Sequence, residues 1–417
     1  MKNFLILLSI LAVLFVLLLA GIRYANPPMP PWTTTPSLKP KASLPLSPTF
    51  KLLLKKGNPL RLKQAKTLST FKAQIRKGEW FKTTKAVETW LASNQAFLQR
   101  FEKGLREKGC LPFNTSINPS PSDYKLLPIL RGSFAIVIQS LLMLQKQQGS
   151  AGVQKLLWLS DRLRRYESGC RSNLVVSMIL VASSTFLQQS FLFALNHPAV
   201  GTKEKLQLLR ELKQWEVRPP AILDALREEA HTITTFMKTL KPTTAKASMK
   251  KGGKSKSGYS VRWPYYDREQ SVQLVKELWR CRLRRMMEYP NKSMFKTCPI
   301  DDYFQQLSDR RGLWIYLRYN AVGKILIGIA SPSFLKYVLK WHESRCFAGA
   351  TRTLWLRSLT PQQRKRLPAQ LTQEAKNPHT GKPFGSLRGK GNICATPKSW
   401  GINLQGLSKP VLPTRKE

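Results

Sequence analysis

The chain contains few residues that could carry out metal or acid–base chemistry. Of its four histidines, His342 is followed by Glu343, as in the first half of a zinc-protease helix. The second histidine of that H-E-x-x-H motif is replaced by Cys346, so a zinc site here would need ligands from elsewhere. The chain has no G-x-S-x-G motif, phosphate-binding glycine loop or C-x-x-C pair. These absences argue against the common enzyme classes.

A second group of candidate residues combines Glu228, Glu229 and His231. These side chains could act as a general acid and base, but the neighbouring Arg227 favours an ordinary ion-pair role. An envelope hydrolase would rest only on Glu229 and His342 and their neighbours. We therefore predict no catalytic residue, no metal and no cofactor.

Six cysteines lie far apart, at positions 110, 170, 281, 298, 346 and 394. In an oxidising compartment they could form up to three disulfides, and Cys281 with Cys298 would close the shortest loop. A reduced protein would instead bury the cysteines as small apolar side chains. The sequence alone does not give the pairing.

The net charge of +46 is the most unusual global property of the chain. Residues 49–110 hold fifteen Lys and Arg against four Glu, and residues 361–417 hold eleven against two acids, so the charge is spread along the chain. Such a field attracts any polyanion, including nucleic acid, phospholipid head groups, lipopolysaccharide and acidic cell-wall polymers. The alternative is a generally basic surface without a dedicated ligand.

The densest basic segment, residues 238–262, holds seven lysines and one arginine but no acid. Its Gly, Ser and Thr content predicts a flexible linker over residues 241–262. Aromatic residues follow between positions 259 and 266, a combination used for single-stranded nucleic acid or membrane interfaces, although such rings more often begin a packed element. The candidate anion-binding residues are Lys238, Lys241, Lys246, Lys250, Lys251, Lys254, Lys256 and Arg262.

Near its N-terminus the chain has an uncharged run of nineteen residues, 4–22, which as a helix would span about 28 Å. A cleavable signal peptide would end in a small-x-small site, in which two small residues stand two positions apart. Ala20 and Ala25 could each be the second small residue, but the residues two positions before them are Leu18 and Arg23. An uncleaved transmembrane anchor over residues 1–25 is therefore favoured over a removed signal peptide. A buried N-terminal helix is disfavoured because the run is apolar on every face.

The flanking charges indicate the orientation weakly. Lys2 and the α-amine precede the apolar run and only Arg23 follows closely, which favours a cytoplasmic N-terminus. Residues 26–48 contain eight prolines and predict a semi-extended linker. We expect a single-pass protein of the inner (cytoplasmic) membrane with most of its chain in the periplasm.

Apolar spacing beyond the linker is mainly helical, and strand signals are scarce. Residues 50–108 show this spacing with breaks at Gly104 and Gly109. We predict a mainly α fold of stacked antiparallel helices, as a bundle or short solenoid, behind one transmembrane helix and with an irregular C-terminal tail. Further helices are predicted over 126–144, 156–165, 173–195, 204–215, 221–240, 269–289, 304–319 and 333–359.

These helices suggest a domain over residues 49–240, a second helical region over 263–368 and a basic tail over 369–417. The helix at 173–195 is long enough to cross a bilayer. It contains seven Ser, Thr and Gln side chains, so we predict a buried central helix rather than a second span.

Three C-terminal segments occur in a recognisable order: NAVGK at 320–324, LPAQL at 367–371 and NPHTGKP at 377–383. This order resembles a group of uncharacterised bacterial single-span envelope proteins with N-x-x-G-basic, L-P-x-x-L and D-P-F-T-G-K-P segments. The resemblance implies export and a helical body but no activity. The last two segments also look like the C-terminal loop of type II secretion major pseudopilins, which resembles a calcium loop. Asn377 replaces its Asp and only Glu374 offers a nearby carboxylate, so we carry over no metal.

Together these patterns predict a non-enzymatic, membrane-anchored envelope protein that acts as a scaffold or adaptor. Its expected partners are phospholipid head groups, lipopolysaccharide or a cell-wall polymer, or an envelope protein complex. The alternative is a membrane-tethered nucleic-acid-binding protein that faces the cytoplasm. An envelope hydrolase is the weaker alternative.

Overall fold

The computed structural model describes residues 13–20, 45, 47–55, 65–111, 126–170, 174–217, 222–239, 241–243, 260–262, 267–287, 335–373, 375–376, 378 and 384. They form a mainly helical protein, as the sequence predicts. The chain makes two compact units, one of Lys41–Ala225 and Leu335–Glu417 and the other of Met1–Pro40 and Leu226–Phe334. This division differs from the domains suggested by the sequence, because the helix after Phe334 belongs to the first unit.

The described elements follow one another along the chain with two short strands among the helices. In order they are α1 (residues 13–20), α2 (Pro48–Leu54), α3 (Ala65–Lys77), α4 (Thr84–Ser93), α5 (Gln95–Arg106), α6 (Leu127–Gln145), α7 (Gly149–Gly169), α8 (Leu174–Asn196), α9 (Thr202–Val217), α10 (Ile222–Thr239), β1 (Lys241–Thr243), β2 (Ser260–Arg262), α11 (Arg268–Met287), α12 (Leu335–Ser358), α13 (Pro361–Lys365) and α14 (Ala369–Thr372).

The core of the first unit is built around α6 and α8. Helix α6 packs against α7 and α8, α7 also contacts α9, and α12 packs against α8 and α9. Short connections make consecutive helices antiparallel neighbours. The turn after α6 is a Schellman motif: Gln147 has a φ of 65°, and the Gln148 N–H donates to the Met143 carbonyl at 2.9 Å.

Helices α6 and α8 are each long and apolar enough to cross a membrane, but 67% of each apolar window is buried within the protein. The polar side chains of α8 support a central position. Ser184 donates to the Leu180 carbonyl at 2.8 Å, and the Gln188 amide donates to Ser344 on α12 at 3.2 Å. Buried hydroxyls bonded in this way avoid the free-energy penalty of an unsatisfied polar group.

The predicted helix break at Gly104 is wrong, because this glycine lies inside α5. A Cβ atom at Gly104 would come within 3.1 Å of the Phe50 ring. The absent side chain therefore lets α2 approach α5, where Phe50 also meets Phe101 edge to face at 5.5 Å. The break is predicted from helix propensity, whereas here close packing selects glycine.

A disulfide joins Cys110, after α5, to Cys170, after α7. The same region is held by backbone hydrogen bonds: the Cys110 N–H donates to the Pro45 carbonyl at 2.7 Å, and the Ser47 N–H donates to the Cys110 carbonyl at 2.8 Å. The start of α2 and the ends of α5 and α7 are thereby fixed together.

A fully buried arginine, Arg352 of α12, connects three segments of the first unit. Its guanidinium lies 2.8 Å from the Glu216 carboxylate of α9 and donates to the carbonyls of Leu371 and Gln373 at 2.7 and 2.6 Å. Arg345 also donates to the Glu216 carbonyl at 2.8 Å. The guanidinium fork satisfies a carboxylate and two carbonyls at once, which an ammonium would match less well.

The second unit contains α1, α10 from Leu226 onward, the two strands and α11. Seven apolar residues of α1, Val13 to Leu19, are 48–62% exposed, while the rest of the predicted span lies outside the described residues, so the anchor stays a prediction.

The ends of the predicted basic linker pair as a two-stranded parallel sheet, with Lys241 opposite Ser260 and Thr243 opposite Arg262. The linker prediction is therefore wrong for these ends. The predicted helix at 304–319 and the 320–324 segment also lie outside the described residues.

We predict that Arg352→Met lowers the free energy of unfolding by about 3 kcal/mol. The half-buried Glu216 carboxylate would keep only the Lys213 ammonium at 3.4 Å, and the Leu371 and Gln373 carbonyls would lose the guanidinium that donates to them. Urea unfolding of the detergent-solubilised chain, followed by circular dichroism, measures the loss. Arg364→Met, on the exposed helix α13, is the matched control. If the double variant Arg352→Met/Glu216→Gln is no more stable than Arg352→Met alone, the uncompensated charge is not the cause.

Candidate anion-binding surface

Helix α5 shows how the chain places its positive charge outside. Phe97, Phe101 and Leu105 are buried in the core at positions separated by four residues. Arg100 and Lys103 lie on the exposed side of the same helix. The helical period thus separates an apolar face from a cationic face.

The exposed cations of α2–α5 and their connecting residues form the basic surface. Counted over residues 47–55 and 65–111, the basic surface comprises ten side chains: Lys51, Lys55, Lys66, Arg76, Lys82, Lys85, Arg100, Lys103, Arg106 and Lys108.

Acidic side chains in these ranges neutralise little of this charge. Glu79 is the exposed acid there, whereas three others are half-buried. Glu88 pairs with Lys146, which directly follows α6. Glu102 lies 2.8 Å from Lys155 of α7 and 3.7 Å from Arg106. These acids therefore serve helix contacts, which leaves the basic surface with a strong excess of positive charge.

The third half-buried acid, Glu107, anchors the start of α2. Burial raises the pKa of its carboxyl, but hydrogen bonds from Ser47 and Thr49, with the nearby Lys103, outweigh this effect and lower the pKa below its usual value. The side chain therefore stays ionised and keeps accepting hydrogen bonds from Ser47 and from the Thr49 hydroxyl and N–H.

The structure places three of the anion-binding residues predicted from the sequence. Lys238 is exposed in the last turn of α10, Lys241 lies in β1 and Arg262 in β2. The other five, Lys246, Lys250, Lys251, Lys254 and Lys256, lie outside the described residues. The sequence shows the cation excess of residues 49–110 but does not by itself assign a site there. The three-residue spacing of Arg100, Lys103 and Arg106 was the available signal.

The residues that suggested a zinc site lie on α12. Cys346 is disulfide-bonded, so it does not supply the thiolate that a zinc site at His342 would require. Both His342 and Glu343 are buried in α12. Within the described part of the chain, no group of three or more His, Cys, Asp or Glu residues is arranged to hold a metal ion.

The group on α10 is divided between different environments. Glu228 is buried, Glu229 is half-buried and His231 is exposed. Elsewhere in the second unit, Cys281 is disulfide-bonded, but its predicted partner Cys298 lies outside the described residues, so that pairing stays a prediction.

The fold and the basic surface define a mainly helical protein with a cationic exterior. No protein-family model matches the chain, and no curated protein or solved structure is significantly similar to it.

One lysine near the basic surface has an unusual environment. The Lys72 ammonium of α3 lies 4.2 Å from the centre of the Phe134 ring on α6. Burial, with a smaller contribution from the nearby Arg76, lowers the pKa of Lys72 to about 8. A lysine in an unfolded chain has a pKa of about 10.4, so the unfolded state binds more protons between these values.

We therefore predict that the free energy of unfolding rises with pH between about 8 and 10.4, and that Lys72→Met makes this rise smaller. Urea unfolding across this pH range measures the effect. Lys66→Met, an exposed position on the same helix, should leave the rise unchanged. Titration of the reductively methylated protein by NMR gives the Lys72 pKa directly, and a value above 10 would contradict the prediction.

Proposed function

We propose that this protein is a membrane-anchored, non-enzymatic envelope protein whose helical body binds anionic partners as a scaffold or adaptor. The basic surface is the observation that carries the proposal. Within residues 47–55 and 65–111 it has ten exposed cations, against a single exposed acid, Glu79. Anionic phospholipid head groups, lipopolysaccharide phosphates and acidic cell-wall polymers all have the required charge.

The exposed α1 residues support membrane attachment. Their apolar side chains, from Val13 to Leu19, belong to the uncharged run at 4–22, whose length matches the hydrocarbon core of a bilayer. Transfer of such side chains from water into lipid is favourable at about 25 cal/mol per Å² of apolar surface. We propose one span with the bulk of the chain in the periplasm.

The disulfides support the proposed location in the periplasm. Cys110 is bonded to Cys170, and Cys281 and Cys346 are also disulfide-bonded. Disulfides persist in oxidising compartments such as the periplasm and are rare in the cytoplasm. This favours the envelope over the alternative of a cytoplasmic nucleic-acid-binding protein.

We predict that the triple variant Lys85→Gln/Arg100→Gln/Lys103→Gln binds a phosphorylated polymer more weakly. Each cation near an anionic surface contributes about 1 kcal/mol, so the loss is about 3 kcal/mol, or on the order of 100-fold in Kd. Binding of the detergent-solubilised full chain to immobilised polyphosphate, measured at several salt concentrations, provides the test.

The matched control Lys85→Arg/Arg100→Lys/Lys103→Arg keeps all three charges and should retain the affinity. A second variant, Lys238→Gln/Lys241→Gln/Arg262→Gln, measures the contribution of the sequence-predicted site. If neutralising α4 and α5 leaves both the Kd and its salt dependence unchanged, the basic surface is not the binding surface.

The proposed periplasmic location of the helical body can be tested separately from its binding. Alkaline phosphatase fused after Glu417 should be active, and Cys110 and Cys170 should resist alkylation in intact cells until a reductant is added. A cytoplasmic fluorescent fusion at the same position should remain dark. An inactive phosphatase fusion together with a bright fluorescent fusion would instead support the nucleic-acid-binding alternative.

A further inference from the structure

The first half of α8 presents an apolar face on its exposed side, unlike an ordinary surface helix. Val175 is 53% exposed and Met178 is 37% exposed, and Ala182 is exposed as well. On the inner side, Ser177 and Ser183 are buried. Val176 and Leu180 are buried beside them, so the inner side is mixed, whereas the exposed side is apolar.

The three outward residues form one stripe, because positions 175, 178 and 182 follow the three- and four-residue spacing of a helix face. We call these residues the apolar stripe. Ile179 and Val181 flank it and are half-buried. No charged residue occurs between 174 and 196, so the stripe carries no charge of its own. A helix face that contacts water normally presents polar side chains.

The size of the stripe indicates contact with an interface rather than a membrane crossing. From position 175 to position 182 a helix rises about 10 Å, well short of the hydrocarbon core of about 30 Å. The second half of α8 is buried, with Leu187 and Phe191 fully enclosed. An apolar face that enters only the boundary between head groups and acyl chains reaches about 5–10 Å deep.

We propose that the apolar stripe docks on the anionic lipid surface to which the chain is anchored. This inference rests on the proposed membrane attachment. The lipid surface stays within reach, because the predicted linker is tied to the body at Pro45 and Ser47, which leaves residues 26–44 as the tether. These 19 residues extend at most about 60 Å at the length per residue of an extended proline-rich chain.

Charge also favours lipid as the occupant. The basic surface belongs to the same compact unit as the apolar stripe, and cations combined with a small apolar insertion are the two signals that together give stable peripheral attachment. A second copy of this chain would bring another net charge of +46, so like-charge repulsion opposes pairing of two copies.

The test places a diazirine-bearing amino acid at position 178 of the full chain, and at the exposed α7 position Ala151 as the matched control. Both proteins are reconstituted into phosphatidylglycerol–phosphatidylethanolamine vesicles and into phosphatidylcholine vesicles. We expect several-fold more cross-linked lipid at position 178 than at 151, and more in the anionic vesicles. In the protein labelled at position 178, Val175→Asp should lower lipid cross-linking to the level seen at position 151. Ala151→Asp in the same labelled protein should leave the cross-linking at position 178 unchanged.

Flotation of the same vesicles separates the two proposals. If the protein floats with the vesicles but position 178 cross-links no more lipid than position 151, the docking inference fails while the anchor stands. Cross-links from position 178 to protein, in the form of a dimer, would also overturn lipid docking. If the protein does not float, both proposals fail. Because the comparison of positions 178 and 151 needs no destabilising substitution, a misfolded aspartate variant does not affect the conclusion.

Discussion

The first unit depends on covering two helices, α6 and α8, that are apolar around most of their circumference. Neither can be stable in water alone, because each would expose a long uncharged or nearly uncharged surface. Helix α7 covers both, α3, α4 and α5 add cover to α6, and α9 and α12 add cover to α8. Several hydroxyls of α6 and α8 bond back to their own backbones, as Ser140 does to the Ile136 carbonyl at 2.8 Å. The polar groups of these helices therefore do not prevent their burial.

The distribution of acids follows from this packing. A chain with only 23 acidic residues against 69 basic ones places many of its described carboxylates between helices rather than on the surface. Glu211 of α9 accepts a hydrogen bond from Ser160 of α7 at 2.6 Å and lies 3.0 Å from the Arg164 guanidinium. Glu216 meets Arg352 in the same way. Because acids are used at helix contacts, the exterior is left with unbalanced cations, and self-repulsion of this exterior works against the compact state.

The periodic pattern of the sequence predicts the central helices well and the close contacts poorly. The expected helices at 126–144 and 173–195 agree within one residue with Leu127–Gln145 and Leu174–Asn196. Helix α7 begins at Gly149, seven residues before the predicted position 156. A Cβ at this glycine would lie 1.8 Å from the Ala199 carbonyl oxygen, a contact that the local pattern does not reveal. The pairing of Cys110 with Cys170, the grouping of α12 with the first unit and the role of Gly104 depend on contacts between distant residues. Local patterns do not encode such contacts. For the same reason the lysine-rich segment was found from composition, whereas the basic surface required the burial of its neighbours to be known.

The disulfide that closes the loop between α5 and α7 links the first two cysteines of the chain. If the chain is exported behind a cytoplasmic N-terminal anchor, as proposed above, its residues emerge in order from that anchor, and Cys170 is the first thiol that Cys110 encounters. An oxidase that acts on emerging thiols in their order of appearance therefore makes this native bond directly, while four later cysteines are still untranslocated. Biogenesis of this part of the molecule would then need oxidation alone, with no isomerase to correct a mispaired bridge.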